Sequence, residues 1–506
     1  MVCKDSVPQF ERNTTVTRRA AAPGTVLIAG ASGYVGTLVL DGVAALASGV
    51  RCMTRRPERL LSPLPKNVEV VAGDVLDAAS LTTALAGIDT ALYLVHGLSS
   101  GAAFTEVELQ GARNFAAAAR AAGVQHIVYL GALSQPAGKE TSAHIFSRHA
   151  VGEALRNSGV PVTEFRASVI IGSGSMPFEV VRALVERLPV MVTPRWVRNS
   201  FQPLAESDLR AYLLHALTEF PANSAVYEIG GAEATDYRQL MREYGRQRRL
   251  RRLMLPVPFV TPRLSSLWLG LVTPAHFRVG RRIVDSASHP SVVRDRSALV
   301  RFPEIHPVGL TDSVRQALDS ELQQLWDDIA VWPAGQMGTA SYRSFKRGAC
   351  YVEQHMARLD HSPESVFRTV AEIGGDNGWY WGDWLWRIRG ALDRAVGGPG
   401  LRRSSGAKPG LRTEGQQLDF WHVEQFVPGV RMRLRADMRL PGQAWLELSA
   451  SGTGDGKSIL TQTAVFNSRG VGGMLYWNAL LPLHRLVFSR MFARLAERSA
   501  YVVPSA

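Results

Sequence analysis

The chain has 506 residues, 46% of them hydrophobic, with 57 Lys and Arg against 44 Asp and Glu and a formal charge of +13. That length exceeds one ordinary core and the composition is globular, so two or three domains are expected and disorder on a large scale is excluded. Three widely spaced cysteines, Cys3, Cys52 and Cys350, argue against a disulfide framework and a cysteine metal site and for a reducing compartment.

The basic excess points to anionic partners: phosphate-bearing cofactors, an acidic membrane surface or nucleic acid. Residues 1–24 lack a continuous apolar run and read as a flexible extension without a secretory signal, so a cytoplasmic location is expected. Residues 20–40 carry no charge, but Pro23 and the glycines that follow break them, which excludes a spanning helix.

The stretch TVLIAGASGYVG, Thr25 to Gly36, reads as a buried parallel strand, a tight bend and the first turn of a helix. Such a bend presents backbone N–H groups and a helix N-terminus to a pyrophosphate. Its expected cofactor contacts are Gly30, Ser32, Gly33, Tyr34, Val35 and Gly36. Val50 to Thr54 is a second strand that ends in Arg55-Arg56, where dinucleotide folds usually place an acid on the ribose 2′-hydroxyl. Two arginines there suit a 2′-phosphate, so NADP is the expected cofactor with NAD as the alternative; solvated loop charge is the plainer reading. A third strand, Val68 to Val71, leads into Gly73-Asp74-Val75, whose Asp74 and Val75 reach toward the adenine unless Asp74 only caps the turn before Leu76.

Ala91 to Val95, a helix over 104–122 and the strand Ile127 to Leu130 continue the alternation, which demands crossover connections and a parallel sheet covered on both faces. AGASGYVG, MTRRPERL, AGDVLDAASL, ELQGARNFAAAARAAGVQHIVYLGAL and EALRNSGVPVTEFRASVIIG together resemble an atypical, NmrA-like member of the short-chain dehydrogenase/reductase superfamily over residues 25–315. The resemblance implies a Rossmann-type, doubly wound α/β domain holding a nicotinamide dinucleotide.

Reductases of that superfamily move a proton with a Tyr-x-x-x-Lys pair and orient substrate with a serine. Matched through Glu153 to Gly159, the lysine position falls on Arg148, the tyrosine position on His144 and the serine positions on Gly131 and Ala132. Arg148 is the candidate for the nicotinamide ribose and, with His144 as proton donor, for catalysis. The duller alternative makes His144 a surface helix residue in a site that binds cofactor without turnover, and Ser134 a turn residue. Tyr34 and Tyr129 are poor substitutes, one in the phosphate bend and the other packed within a strand.

Beyond Gly159 the resemblance places a smaller substrate-binding part, with Arg166 at a strand end, Ser168 to Pro177 as a loop facing the cofactor, Tyr227 to Gly231 as the last strand and Thr235 to Tyr244 as a helix. Arg246, Arg248, Arg249, Arg251 and Arg252 then crowd together before an apolar segment containing Trp268. Either this is a solvated helix face or it seats the protein on an anionic leaflet; no aromatic platform or reading helix supports nucleic-acid binding.

Periodicity fails over 326–341, where Pro333, Gly335 and Gly338 accumulate, so a linker is expected between a first domain, 25–325, and a second, 342–500. The second opens with a strand, Cys350 to Leu359. A helix capped by Ser362 and Pro363 carries Phe367, Val370 and Ile373 inward and stops at Gly374-Gly375. Four strands follow: Leu418 to Gln425, Val430 to Arg439, Gln443 to Ala450 and Lys457 to Phe466. In the second of these Val430, Met432, Leu434, Ala436 and Met438 alternate with charged residues, as in an antiparallel sheet wet on one side. A last helix, about 474–498, would cover it with Trp477, Leu481, Phe488, Met491 and Leu495.

This order resembles the α+β START-like helix-grip fold, and GGDNGWYWGDWLWRIRGALDRAVGG and LYWNALLPLHRLVF are similar to a domain fused to NmrA-like Rossmann domains in bacteria. It implies an apolar small molecule or lipid as ligand. Trp381, Trp384, Leu385, Ile388, Leu392 and Ala395 form one stripe at helical spacing, a core, a pocket lining or a membrane face. His355, His361, His422 and His484 lack metal-ligand spacing, so no metal is expected. The expectation for the whole is an NADP(H)-binding oxidoreductase-like protein, in the cytoplasm or peripheral to a membrane. The rivals are a redox sensor without turnover and an epimerase or dehydratase.

Overall fold

A computed structural model describes residues 18–19, 23–60, 63–96, 104–133, 143–257, 287, 289–330, 340–401 and 412–501. The chain divides into two compact units. The first comprises 1–184, 190–247 and 253–323, the second 185–189, 248–252 and 324–506.

In the first unit seven parallel strands form one sheet. They are β1 (Thr25–Ala29), β2 (Gly49–Thr54), β3 (Val68–Ala72), β4 (Thr90–Tyr93), β5 (His126–Ala132), β6 (Val162–Ala167) and β7 (Ala225–Ile229). Their order is β7-β6-β5-β4-β1-β2-β3, the Rossmann-type arrangement that reverses direction between β1 and β4. Both faces are buried because helices return on both sides. Val26 and Ile28 pack toward α1 (Tyr34–Leu46) and α6 (Glu206–Leu217), whereas Leu27 and Ala29 pack toward α2 (Ala78–Leu85), α3 (Phe104–Ala121) and α4 (Ala143–Arg156). That two-sided burial is why the strands read as apolar runs rather than alternating ones.

Several expectations shift here. Pro177 lies inside α5 (Met176–Arg187), and Ile170–Ile171 forms a short strand, so 168–177 is not one loop. The helix expected from Thr235 begins at Tyr237 and runs to Gln247 as α7, since Thr235–Asp236 pairs with Ser200–Phe201. Arg18 and Arg19, in the stretch read as a flexible extension, pair with Phe220 and Glu219. Helix α8 (Leu310–Ala330) continues through Trp326, where loss of periodicity suggested a linker; residues 331–339 lie outside the described residues.

The second unit is built on seven antiparallel strands: β8 (Ala340–Arg347), β9 (Cys350–Leu359), β10 (Gln417–Leu418), β11 (Trp421–Val427), β12 (Arg431–Ala436), β13 (Gly442–Gly452) and β14 (Ser458–Ser468), in the order β8-β9-β14-β13-β12-β11-β10. Strand β8 has no counterpart in the sequence reading. The strand expected over 418–425 is split because Asp419 takes a left-handed turn, φ 57°, and spends its buried carboxylate on Trp379 Nε1 at 2.9 Å and Gly375 N at 3.3 Å.

Ser362 caps α9 (Pro363–Ala371) by accepting from Ser365 N at 3.3 Å, and the far end is closed by Arg412, which donates to the carbonyls of Ala371 and Ile373. With α11 (Gly470–Tyr501), α9 covers a core of Met432, Leu434, Leu448, Leu460, Phe488 and Met491. The opposite face of β12 is not simply wet: Arg433 pairs with Glu447 at 2.7 Å and lies 3.6 Å over the Trp326 ring. Val430, expected inward, is exposed in the turn before the strand.

The tryptophan stripe divides. In α10 (Asp383–Ala395), Leu385 and Trp386 pack on the core, as does Trp381 just before it, while Trp384, Ile388 and Leu392 are exposed and Ala395 is too. No helix among the described residues is long and apolar enough to cross a membrane.

Candidate functional site

Parallel strands bring all their C-terminal ends to one edge, so residues distant in sequence meet there. The bend after β1 turns at Gly30, φ 89°, a value that L side chains resist. Helix α1 begins at Tyr34 with Gly33 as its N-cap, and no side chain caps it. Its first intrahelical bond runs from Thr37 N to Gly33 O at 2.9 Å, so the N–H groups of Tyr34, Val35 and Gly36 precede the ladder and remain available to an anion. At Gly36 a Cβ would stand 2.6 Å from the carbonyl oxygens of Gly30 and Ala31; the close packing of helix on bend requires glycine.

Two predicted contacts also have side-chain partners within the protein. The Tyr34 hydroxyl donates to Glu206 at 3.0 Å, buried against Gly172, so its side chain ties α1 to α6 and only its backbone faces the bend; burial, then Glu206, pushes its pKa up. Ser32 Oγ is 2.8 Å from Thr54 Oγ1 at the end of β2, and Thr54 Oγ1 accepts from Arg56 N at 3.2 Å. This links the bend to the loop that carries Arg55 and Arg56, both exposed. The Asp74 carboxylate accepts from Leu76 N at 3.0 Å through Oδ1; Val75 packs against α3 beside Gly111 and its carbonyl accepts from Asn114.

At the ends of β4 and β5 a second group converges. Arg148, on α4, donates from Nη2 to Leu130 O at 3.1 Å, its guanidinium is 5.9 Å from the Tyr129 ring, and its Nε is buried without a partner among the described residues. Tyr129 OH in turn donates to the Arg148 carbonyl at 2.9 Å. Burial pushes the phenols of Tyr93 and Tyr129 up. His144 stands on the first turn of α4, and His96, just past β4, lies within electrostatic reach of Arg148, Glu108 and His144. Ser147 Oγ donates to the buried Glu108 carboxylate. His96 and Glu108 escaped the sequence reading because nothing local marks them; their chemistry comes from the strand ends that gather them.

Where the family serine would stand, Gly131 borders a buried carboxylate instead. Glu164 on β6 sits between Gly131 and Gly152 and pairs with Arg156 and, at 2.8 Å, with Arg166. Arg166 is therefore half of an ion pair. Ser168 Oγ contacts Ser291, and Ser134 lies outside the described residues.

The basic run is only partly a solvated face: Arg246, Arg249 and Arg251 are exposed, whereas Arg248 and Arg252 are anchored. Arg248 pairs with Glu186 at 2.8 Å and reaches Asn467 and the Ser468 carbonyl, and Arg252 donates to the carbonyls of Val185 and Glu186. Trp268 lies outside the described residues. No group of three His, Cys, Asp or Glu among the described residues has the arrangement of a metal site.

Residues 23–186 match the NmrA-like family, and residues 345–491 match a family described as a protein of unknown function, DUF2867. The (4-alkanoyl-5-oxo-2,5-dihydrofuran-3-yl)methyl phosphate reductase of Streptomyces griseus is 36% identical over 242 residues, 45% of this chain and 77% of that one. A 3-beta-hydroxysteroid dehydrogenase of Mycolicibacterium neoaurum is 35% identical over 118 residues, 21% of this chain and 31% of that one, so the chain spans about a third of it. Among solved structures, the Citrobacter sp. triphenylmethane reductase complexed with NADP(H) is 21% identical, covers 58% of this chain and 99% of that one, and has a TM-score of 0.47.

Proposed function

The chain belongs to the NmrA-like family of NAD(P)-binding, oxidoreductase-like proteins, and we propose that it is an NADP(H)-dependent reductase of an apolar carbonyl or alkene. The observation that carries this reading is the helix start without a side-chain cap at Gly33, tied through Ser32 and Thr54 to the exposed Arg55 and Arg56. A dinucleotide needs such a pairing: bare amides for its pyrophosphate and guanidinium groups for a 2′-phosphate.

Bound NADPH would supply hydride. In this reading the amides of Tyr34, Val35 and Gly36 hold the pyrophosphate, Arg55 and Arg56 select the phosphorylated ribose, and Asp74 and Val75 border the adenine. Arg148 offers its unspent Nε to the nicotinamide ribose. His144 gives a proton to the substrate oxygen as negative charge develops there, taking the part the family assigns to tyrosine. The test is a titration of NADPH against NADH, followed by absorbance of the bound reduced cofactor with a panel of hydrophobic carbonyl compounds. Oxidation that depends on His144 supports the reductase.

The altered dyad favours a second reading, a redox sensor that binds NADP(H) without turnover; tight binding with no oxidation, and no effect of His144→Ala, supports it. Isotope exchange at a substrate stereocentre without net oxidation supports an epimerase or dehydratase. For the second unit, a sheet gripped by α9 and α11 suits a START-like module holding an apolar molecule or lipid. The exposed Trp384, Ile388 and Leu392 suit peripheral membrane contact, tested by loss of binding to anionic vesicles in Trp384→Ala.

A further inference from the structure

A recess of about 320 Å³ in the first unit is lined by Arg195, Arg198 and Arg238, with Pro194, Val197 and Val257 among its apolar walls. The fold builds it from two sides. Strands 190–193 and 253–256 run parallel and end together, with Val257 N donating to Thr193 O at 3.1 Å. The helical turn Arg195–Arg198 follows directly, and its Trp196 packs edge-on against Tyr237, ring centroids 5.9 Å apart, at the start of α7. Arg238 is the next residue, so the packing of two aromatic rings brings three guanidinium groups to one cavity.

Among the described residues no carboxylate lines this cavity. Several other arginines of the unit pair with acids, as Arg51 does with Glu69, Arg182 with Glu321 and Arg301 with Glu219. Among the described residues Arg195, Arg198 and Arg238 make no ion pair, and Arg238 Nε is buried with no hydrogen-bond partner. Three like charges around one space repel, and a buried donor left unspent is costly; an anion in the recess relieves both. Guanidinium forks match phosphate oxygens two at a time. The volume sits at the lower end of the range for small-molecule sites, about 300–1,000 Å³. Together with the apolar walls, it calls for more than a bare ion.

We propose that this recess binds a phosphate monoester, its phosphate held by Arg195, Arg198 and Arg238 and its organic part against Pro194, Val197 and Val257. The site is separate from the dinucleotide bend and does not depend on the reductase reading.

Calorimetry on the full chain at constant ionic strength, with phenyl phosphate and inorganic phosphate as probes, tests it. Phenyl phosphate should bind one site at least tenfold more tightly than inorganic phosphate. Arg198→Glu should weaken it more than tenfold, Arg238→Gln should weaken it too, and Arg55→Ser/Arg56→Ser should leave it unchanged. Arg195→Lys, which keeps the charge and loses the fork, guards against misfolding and should weaken binding severalfold with an unaltered circular dichroism spectrum. Absence of heat with phenyl phosphate, equal affinity for both probes, wild-type binding by Arg198→Glu, or loss of binding in the Arg55/Arg56 variant would each overturn the proposal. NADPH affinity, read in parallel, reports on the cofactor site alone.

Discussion

The two sheets solve the same burial problem with opposite consequences for chemistry. The parallel sheet of the first unit sends every strand end to one edge. Backbone amides after β1, Thr54 at the end of β2, His96 after β4 and the Leu130 carbonyl under Arg148 therefore gather at one edge. The antiparallel sheet of the second unit alternates its ends, and its concentration of side chains lies beneath its helices instead. There Trp379, Phe420, Trp421 and Trp386 pack ring to ring at 5.3–6.1 Å. A parallel sheet makes a site by topology; an antiparallel sheet under helices makes a core, and its sites depend on which polar groups that core tolerates.

Glu353 is such a group. Its carboxylate on β9, 1% exposed, is shared by His484, Arg485 and Tyr342. Burial pushes its pKa up, but the donors from His484, Tyr342 and Arg485 more than offset that and hold it below the usual carboxylate range.

The largest test of this contrast is Trp379→Ala. It removes a ring 2% exposed and leaves Asp419 without its indole donor, and should cost about 3–5 kcal/mol in urea unfolding followed by tryptophan fluorescence. NADPH affinity should be unchanged; a loss there would break the separation of core and site. Next is Gly33→Asp. Aspartate is a good N-cap, but its Cβ would stand 3.1 Å from the Gly30 carbonyl oxygen, so α1 should lose a little stability, and a carboxylate at the amides should weaken NADPH at least about a hundredfold by calorimetry.

Replacing Arg55 and Arg56 by serine should weaken NADPH about tenfold to a hundredfold and leave NADH nearly unchanged, each charge-assisted contact contributing about 1.5–3 kcal/mol at most. The smallest test is acid sensitivity of the first unit. His126 is fully buried with Nε2 2.9 Å from Thr163 Oγ1, and burial pushes its pKa down to about 3. The unfolded chain takes up that proton below about pH 6.5 and the folded one does not, so stability present above that pH falls by about 1.4 kcal/mol per pH unit between about 6.5 and 3. His126→Asn should flatten that slope in urea midpoints measured across pH; an unchanged slope would assign the acid loss to other groups.

Legibility followed the range of the interaction. The β1 bend, the arginines after β2 and the Ser362 cap rest on contacts a few residues apart, so residue types and spacing announce them. The break at Asp419 between β10 and β11 does not, because it answers to an indole 40 residues away. Nor does the anchoring of Arg248 to Glu186, which local charge density disguised as a solvated face. The stripe over 381–395 stayed open for a related reason: helical period identifies one face but not whether anything covers it, and here Trp381 and Leu385 met the core while Trp384 met solvent.

By itself the sequence determined the alternation of strands and helices, the amide-lined bend and its arginine neighbours, and a change of architecture in the last third, since each is written in local periodicity and backbone preference. Tertiary structure alone decided that Tyr34 turns its hydroxyl to Glu206, that Glu164 occupies the space beside Gly131, and that Arg195 and Arg198 meet Arg238 around one cavity. Those partnerships join residues far apart in the chain, and only the packing of one element on another brings their side chains within reach.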